Sequence, residues 1–177
     1  MEHGGGPLAS RTQGRLDFPL PPAVAEETLA VLESSGVLRF AKMLCPRGSV
    51  RTNNIILSQP GSTRQPIHVD SAWEGRKTRS PAPHYLTILI PLTPTRPAMG
   101  GTRLWPGSHR SADFTPTHDD AASWVDATAP LIELGDVLVF DGLLAHCGME
   151  NASAAERYFC YVAFSAAHDP NVDVTGV

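Results

Sequence analysis

The chain has 177 residues and a formal net charge of -4 at neutral pH, a length suited to one ordinary domain with a real core. Hydrophobic residues make up 42% and charged residues 18%, which excludes a disordered class, and the apolar runs at 86–91 and 137–140 fall far short of the roughly 20 residues that cross a bilayer. A pI near 5.9 leaves no basic footprint for nucleic acid. The start, Met1-Glu2-His3 and three glycines, has no basic or apolar signal region, so the expected location is intracellular and cytoplasmic, with no membrane partner.

In chain order, residues 1–19 are rich in Gly, Ser, Arg and Gln without apolar periodicity, which predicts a loose leader. The run PPAVAEETLAVLESSG follows, with Pro at its start, acids in its first turns and apolar residues at Val24, Leu29 and Leu32. It predicts a helix that Gly36 stops. Beyond it, short β-prone runs divided by Pro and Gly predict strands over 54–57, 65–69, 85–92, 101–105, 131–134, 137–140 and 157–165. Their number and spacing point to an all-β core, a sandwich or jelly roll with a short helical N-terminal edge.

Segments 76–83, 93–99 and 111–129 read as loops from their Pro, Ser, Thr and Asp content. The last, near twenty residues, has the length of a lid or binding surface. The expected layout is a single domain over 20–170 with a tail over 171–177. Cys45, Cys147 and Cys160 are odd in number and form no CxxC pair, so they read as reduced, packed thiols.

The chemistry concentrates in Ile67-His68-Val69-Asp70. Two residues apart on a strand, His68 and Asp70 project to one side and can share one metal. An imidazole and a carboxylate joined by a second imidazole, with positions left open, form the facial set of non-haem Fe(II) oxygenases. His146 is the best third ligand, because the turn at Gly135-Asp136 and the apolar run 137–140 lead towards it. Arg157 lies eleven residues further on and shares a strand face with Phe159, Tyr161 and Ala163. A buried guanidinium needs an anion: either the far carboxylate of a bound dicarboxylate, or a structural acid such as Asp136 or Asp141.

Three blocks resemble the phytanoyl-CoA dioxygenase family of Fe(II)- and 2-oxoglutarate-dependent oxygenases. They are QPIHVD, then LTILIPLTPTRPAMGGTRLWPGSHR, then GDVLVFDGLLAHCGMENASAAERYFCYVAF, all within 53–165. The resemblance implies a double-stranded β-helix (jelly roll, cupin-like). It implies His68, Asp70 and His146 as iron ligands, Arg157 on the distal carboxylate of 2-oxoglutarate, and Thr87 and Gln59 as further co-substrate contacts. It also implies hydroxylation of a small organic substrate, with release of succinate and carbon dioxide. Asp70 stands where related halogenases have a small residue, which favours hydroxylation over halogenation.

The chain departs from the family pattern at Gly148, two residues after His146, where members often have Ser or Thr. PGSH, over 106–109, reads as an architectural turn. Trp73, Arg76, Lys77 and Arg79 suit either an entrance for an anionic substrate or a solvated loop. The competing readings are a cupin-like metal enzyme that does not use 2-oxoglutarate, which Arg157 argues against, and a catalytically silent binding or regulatory module.

Overall fold

The structure is a computed structural model, and it describes residues 12–71, 83–110 and 127–166. Trp73, Arg76, Lys77 and Arg79, and the long loop up to residue 126, lie outside these residues, as does the tail over 171–177.

The leader expected over 1–19 ends earlier than the sequence suggests, because Arg15–Pro19 forms a strand, β1. Its side chains alternate apolar and polar between Gly14 and Pro19, and five residues pair in register with a neighbouring strand, from Arg15 opposite Ser58 to Pro19 opposite Asn54. Pro22 then occupies the first turn of helix α1, Pro22–Ser34, where its fixed φ and missing N–H cost nothing.

Gly36, at φ +84°, stops α1 as expected, a backbone conformation that a side chain would resist. The chain turns straight into a second helix, α2, Val37–Leu44, which the sequence pattern did not show. Eight residues cut short by Cys45-Pro46 are too few to display a period. Both helices are mostly exposed and bury chiefly Leu32 and Ala41. These meet Leu86, Ile88, Cys160, Val162 and Phe164, so the helices cover the outer face of a sheet.

That sheet has five antiparallel strands in the order β1-β2-β7-β3-β5. They are β2 Gly48–Ser58, β3 Tyr85–Pro91, β5 Leu138–Asp141 and β7 Arg157–Ala166, with β1 at one edge. Strand β3 is buried at nearly every residue, as an apolar run covered on both faces should be. Side-chain alternation sends Leu86 and Ile88 to the helices, and Thr87 and Leu89 to the opposite, inner face.

A smaller sheet pairs β4 Thr102–Leu104 with β6 His146–Gly148, and Thr128 extends it by one bridge to Leu104. Between the sheets lie Leu89, Leu104, Phe140 and Leu144, with Tyr161 against them. Each fully buried aliphatic or aromatic side chain contributes about 1.5–3 kcal/mol by leaving water.

Two predicted strands differ. Segment 65–69 contributes a single bridge, at His68, because Pro66 has no N–H to give a ladder. Segment 131–134 forms no strand: Pro130 precedes it, and a turn closes it, with the Glu133 N–H on Asp136 Oδ2 and the Asp136 N–H on the Glu133 carbonyl. Leu131 and Leu134 are left exposed. No helix among the described residues is long and apolar enough to cross a membrane.

Candidate metal and anion site

The site begins with backbone pairing. His68 and His146 exchange both N–H···O bonds at 2.9 Å, which puts the two side chains on one face although 78 residues separate them. The next turn of chain is pinned as well, with the Asp70 and Ser71 N–H groups both donating to the Gly142 carbonyl. Gly142 itself sits in a turn fixed by Asp141, whose Oδ1 accepts from the Leu143 N–H at 2.9 Å. The expected facing of His68 and Asp70 is therefore met without a regular strand.

The ligand atoms of His68, Asp70 and His146 lie within 4.8 Å of one another. His146 Nε2 is 3.5 Å from Asp70 Oδ1 and His68 Nε2 is 3.9 Å from it. Each imidazole donates its Nδ1–H to the carbonyl two residues back, His68 to Pro66 at 2.8 Å and His146 to Leu144 at 2.9 Å. A carbonyl only accepts, so in the neutral tautomer both Nε2 lone pairs face the carboxylate. Such a set repels itself unless a cation stands between its members. The His146 ring is further held edge-on to Phe140, with centroids 4.8 Å apart.

Burial raises the Asp70 carboxyl, but the protonated forms of His146 and His68, which donate and attract where the neutral rings repel, together with the hydroxyl of Thr87 outweigh it and hold Asp70 well below the usual carboxylate range. The side chains of His146 and Asp70 are 7% and 8% exposed, whereas His68 is 26% exposed. The set thus opens to solvent on the His68 side. Two imidazoles, one carboxylate and an open side fit a facial metal site with free coordination positions.

Thr87 is brought to the site, and its hydroxyl donates to Asp70 Oδ2, so it supports the carboxylate. Gln59 is exposed at the end of β2 and its backbone N–H goes to the Gly14 carbonyl. The glutamine that reaches the site strand is Gln65, whose Oε1 accepts from the Gly148 N–H at 2.9 Å. PGSH is architectural as expected: Ser108 Oγ accepts from the Ala145 N–H at 2.8 Å, one residue before His146.

Arg157 is buried on the inner face, with its guanidinium 5.2 Å from the Phe159 ring centroid. The structural-acid alternative fails among the described residues, since Asp136 and Asp141 bond backbone N–H groups of their own turns. Arg157 instead donates to the Met99 carbonyl at 2.7 Å and to Ser58 Oγ at 2.9 Å, and its buried Nε has no partner. Burial, and then the positive charge of Arg15, push it down to about 9.

Sequence reasoning missed that second arginine. Arg15 is buried and donates to Ser58 Oγ at 2.8 Å, to the Thr63 carbonyl at 3.0 Å and to the Met149 carbonyl. Burial pushes it down to about 10, against smaller opposing effects of Cys147 and Glu150. It stands beside Gly148, where a β-carbon would lie 2.7 Å from Arg15 Nη1. The space beside Gly148 is thus taken by the Arg15 guanidinium and by Gln65 Oε1, which a β-carbon would meet at 2.6 Å. The alternation of Arg15-Leu16-Asp17-Phe18 was the available signal.

Residues 24–159 match the phytanoyl-CoA dioxygenase family over most of the chain. The chain belongs to the phytanoyl-CoA dioxygenase family. Among curated relatives of this family member, the iron/alpha-ketoglutarate-dependent dioxygenase ausO of Aspergillus calidoustus is 32% identical over 109 residues, 59% of this chain and 37% of that protein. The dioxygenase andF of Emericella variicolor is 31% identical over 120 residues, 65% of this chain and 40% of that protein. The chain therefore spans about two fifths of the length of the curated relatives it matches.

Two solved structures share its fold. HygX from Streptomyces hygroscopicus, with nickel, 2-oxoglutarate and hygromycin B bound, has a TM-score of 0.72 at 13% identity, covering 92% of this chain and 74% of that one. The non-haem alpha-ketoglutarate-dependent epimerase SnoN has a TM-score of 0.71 at 14% identity, covering 96% and 70%. The jelly roll that the sequence implied is the fold of this family member.

Proposed function

We propose that this chain is the core of an Fe(II)- and 2-oxoglutarate-dependent dioxygenase. His68, Asp70 and His146 would hold the iron, and Arg157 would hold the distal carboxylate of the co-substrate. The observation that carries the reading is the convergence of two Nε2 atoms on the Asp70 carboxylate, each imidazole fixed by a backbone carbonyl behind it. Family membership and the names of the curated relatives support it.

Bound together, the metal and 2-oxoglutarate would supply the oxidising chemistry, with succinate and carbon dioxide as co-products. The chain's own residues bind and orient. Thr87 keeps Asp70 ionised and aimed; Phe140 fixes the His146 ring; Arg157 offers a desolvated cation on the same sheet face as Thr87. Leu89, Leu104, Phe140 and Leu144 form an apolar wall that keeps water from the interior. The reacting substrate, a small organic molecule, would approach from the exposed His68 side.

The test is succinate formation by anaerobically purified protein given Fe(II), 2-oxoglutarate and air, beside a His68→Ala control. Turnover in the parent that vanishes in the control is expected. Absence of both turnover and Fe(II)-dependent binding of 2-oxoglutarate would overturn the proposal in favour of a silent module.

A further inference from the structure

Arg15, Ser58 and Arg157 are direct neighbours across β1, β2 and β7, so their side chains leave one face of the sheet in a single rung. That face also carries Thr87, which is paired with Ala163, six residues along β7 from Arg157. All three members are buried, with exposures of 3%, 1% and 2%.

The rung is rich in donors and poor in acceptors. Ser58 Oγ receives both guanidiniums, which occupies its lone pairs and leaves its own O–H to point elsewhere. Arg157 makes two hydrogen bonds, and its Nε makes none. Arg15 makes three. A guanidinium carries five N–H groups, so donors remain on both. Among the described residues neither guanidinium has a carboxylate within salt-bridge distance, and Asp70 pairs with His68 and His146 instead. Two buried cations side by side repel and are costly without an anion. Gly148, two residues from His146, leaves room for Arg15 and for Gln65 Oε1 at the end of β6.

We propose that Arg15 is a second cationic arm of the co-substrate pocket, forming with Arg157 and the Ser58 hydroxyl a seat for the distal carboxylate of a dicarboxylate. The inference rests on the reading of this pocket as a 2-oxoglutarate site. It adds a residue from the N-terminal strand to it. The guanidinium charges are present without a metal, so the seat binds a simple dicarboxylate in metal-free protein.

The experiment is thermal unfolding of chelator-treated protein across a glutarate titration, with inorganic phosphate as a parallel arm and Ni(II) binding measured separately. Wild type is expected to be stabilised by glutarate and much less by phosphate. Arg15→Gln, compared with its own ligand-free baseline, is expected to need about tenfold more glutarate or beyond, the scale of a hydrogen bond to a charged group, with Ni(II) binding unchanged. Arg15→Lys should fall between the two.

Where Arg15→Gln does not fold, Gly148→Ala decides, because its β-carbon would crowd the Arg15 guanidinium at 2.7 Å together with Gln65 Oε1 at 2.6 Å, while Arg157 keeps its bond to the Met99 carbonyl. The same weakening is expected. No glutarate effect in wild type, an equal effect of phosphate, or unchanged glutarate response in a folded variant overturns the proposal. Loss of Ni(II) binding in wild type with the Arg15-dependent glutarate response intact would instead overturn the iron reading alone.

Discussion

The Thr87 hydroxyl distinguishes two accounts of the same residue. Thr87→Val keeps the shape and removes one hydrogen bond from the Asp70 carboxylate, whose side chain is 8% exposed. Solvent cannot replace that bond, so the loss is about 1.5–3 kcal/mol, the range for a buried bond to a charged group. At about 1.4 kcal/mol per decade this is roughly a 10–100-fold loss of metal affinity, the range found for partners behind metal ligands. Losing the Thr87 bond also removes one of the effects that lower Asp70, so its carboxyl rises towards the ordinary range. The assay is Ni(II) titration without co-substrate, on variant and parent, with thermal unfolding to confirm that both are folded. Metal affinity within twofold of the parent, together with a tenfold weaker response to 2-oxoglutarate, would refute the argument and return Thr87 to the co-substrate.

Three further outcomes follow from the packing. Phe164→Ala, at 1% exposure between the sheet and the helices, should cost about 3–5 kcal/mol by chemical denaturation. Gly100→Ala should be strongly destabilising: Gly100 sits at φ +67°, and an added β-carbon would stand 2.3 Å from the Glu150 carbonyl oxygen and 2.9 Å from that of Met149. A thermal scan no lower than the parent would contradict it. Burial pushes the Cys160 thiol up to about 11, so at pH 8.5 it stays protonated in the folded state while the unfolded thiol is about half ionised. Native protein should therefore label slowly with iodoacetamide and quickly in denaturant. The folded state holds this proton longer, so the thiol favours unfolding as pH rises from about 9 to 11.

The candidate set His68, Asp70 and His146 was legible in the sequence because residue type and spacing carry it. His68 and Asp70 need only to share a side, and backbone pairing with His146 supplies that even where Pro66 spoils the strand. Alternation also placed Arg157 inside. It could not say which neighbour Thr87 would reach, because period two gives a face and not a partner. Arg15 was lost because the five residues from Arg15 to Pro19 are too few to outweigh a polar, glycine-rich context. Helix α2 was hidden by its eight-residue length, and 131–134 misled because its apolar residues sit between a proline and a turn.

Strand β7 lies at the middle of the large sheet, yet it follows every other described element in the chain. During synthesis, β1 with β2 and β3 with β5 can form two separate pairs, and each then presents an open edge to be joined by β7. The apolar edge of β3 is the more hazardous, since unpaired strands of this kind recruit other chains. Because Arg157 is the first residue of β7, closure of the sheet and arrival of this buried cation are one event. A nascent or prematurely ended chain that stops before residue 157 would be aggregation-prone, while one that emerges past 166 gains its seam and the buried Arg157 together.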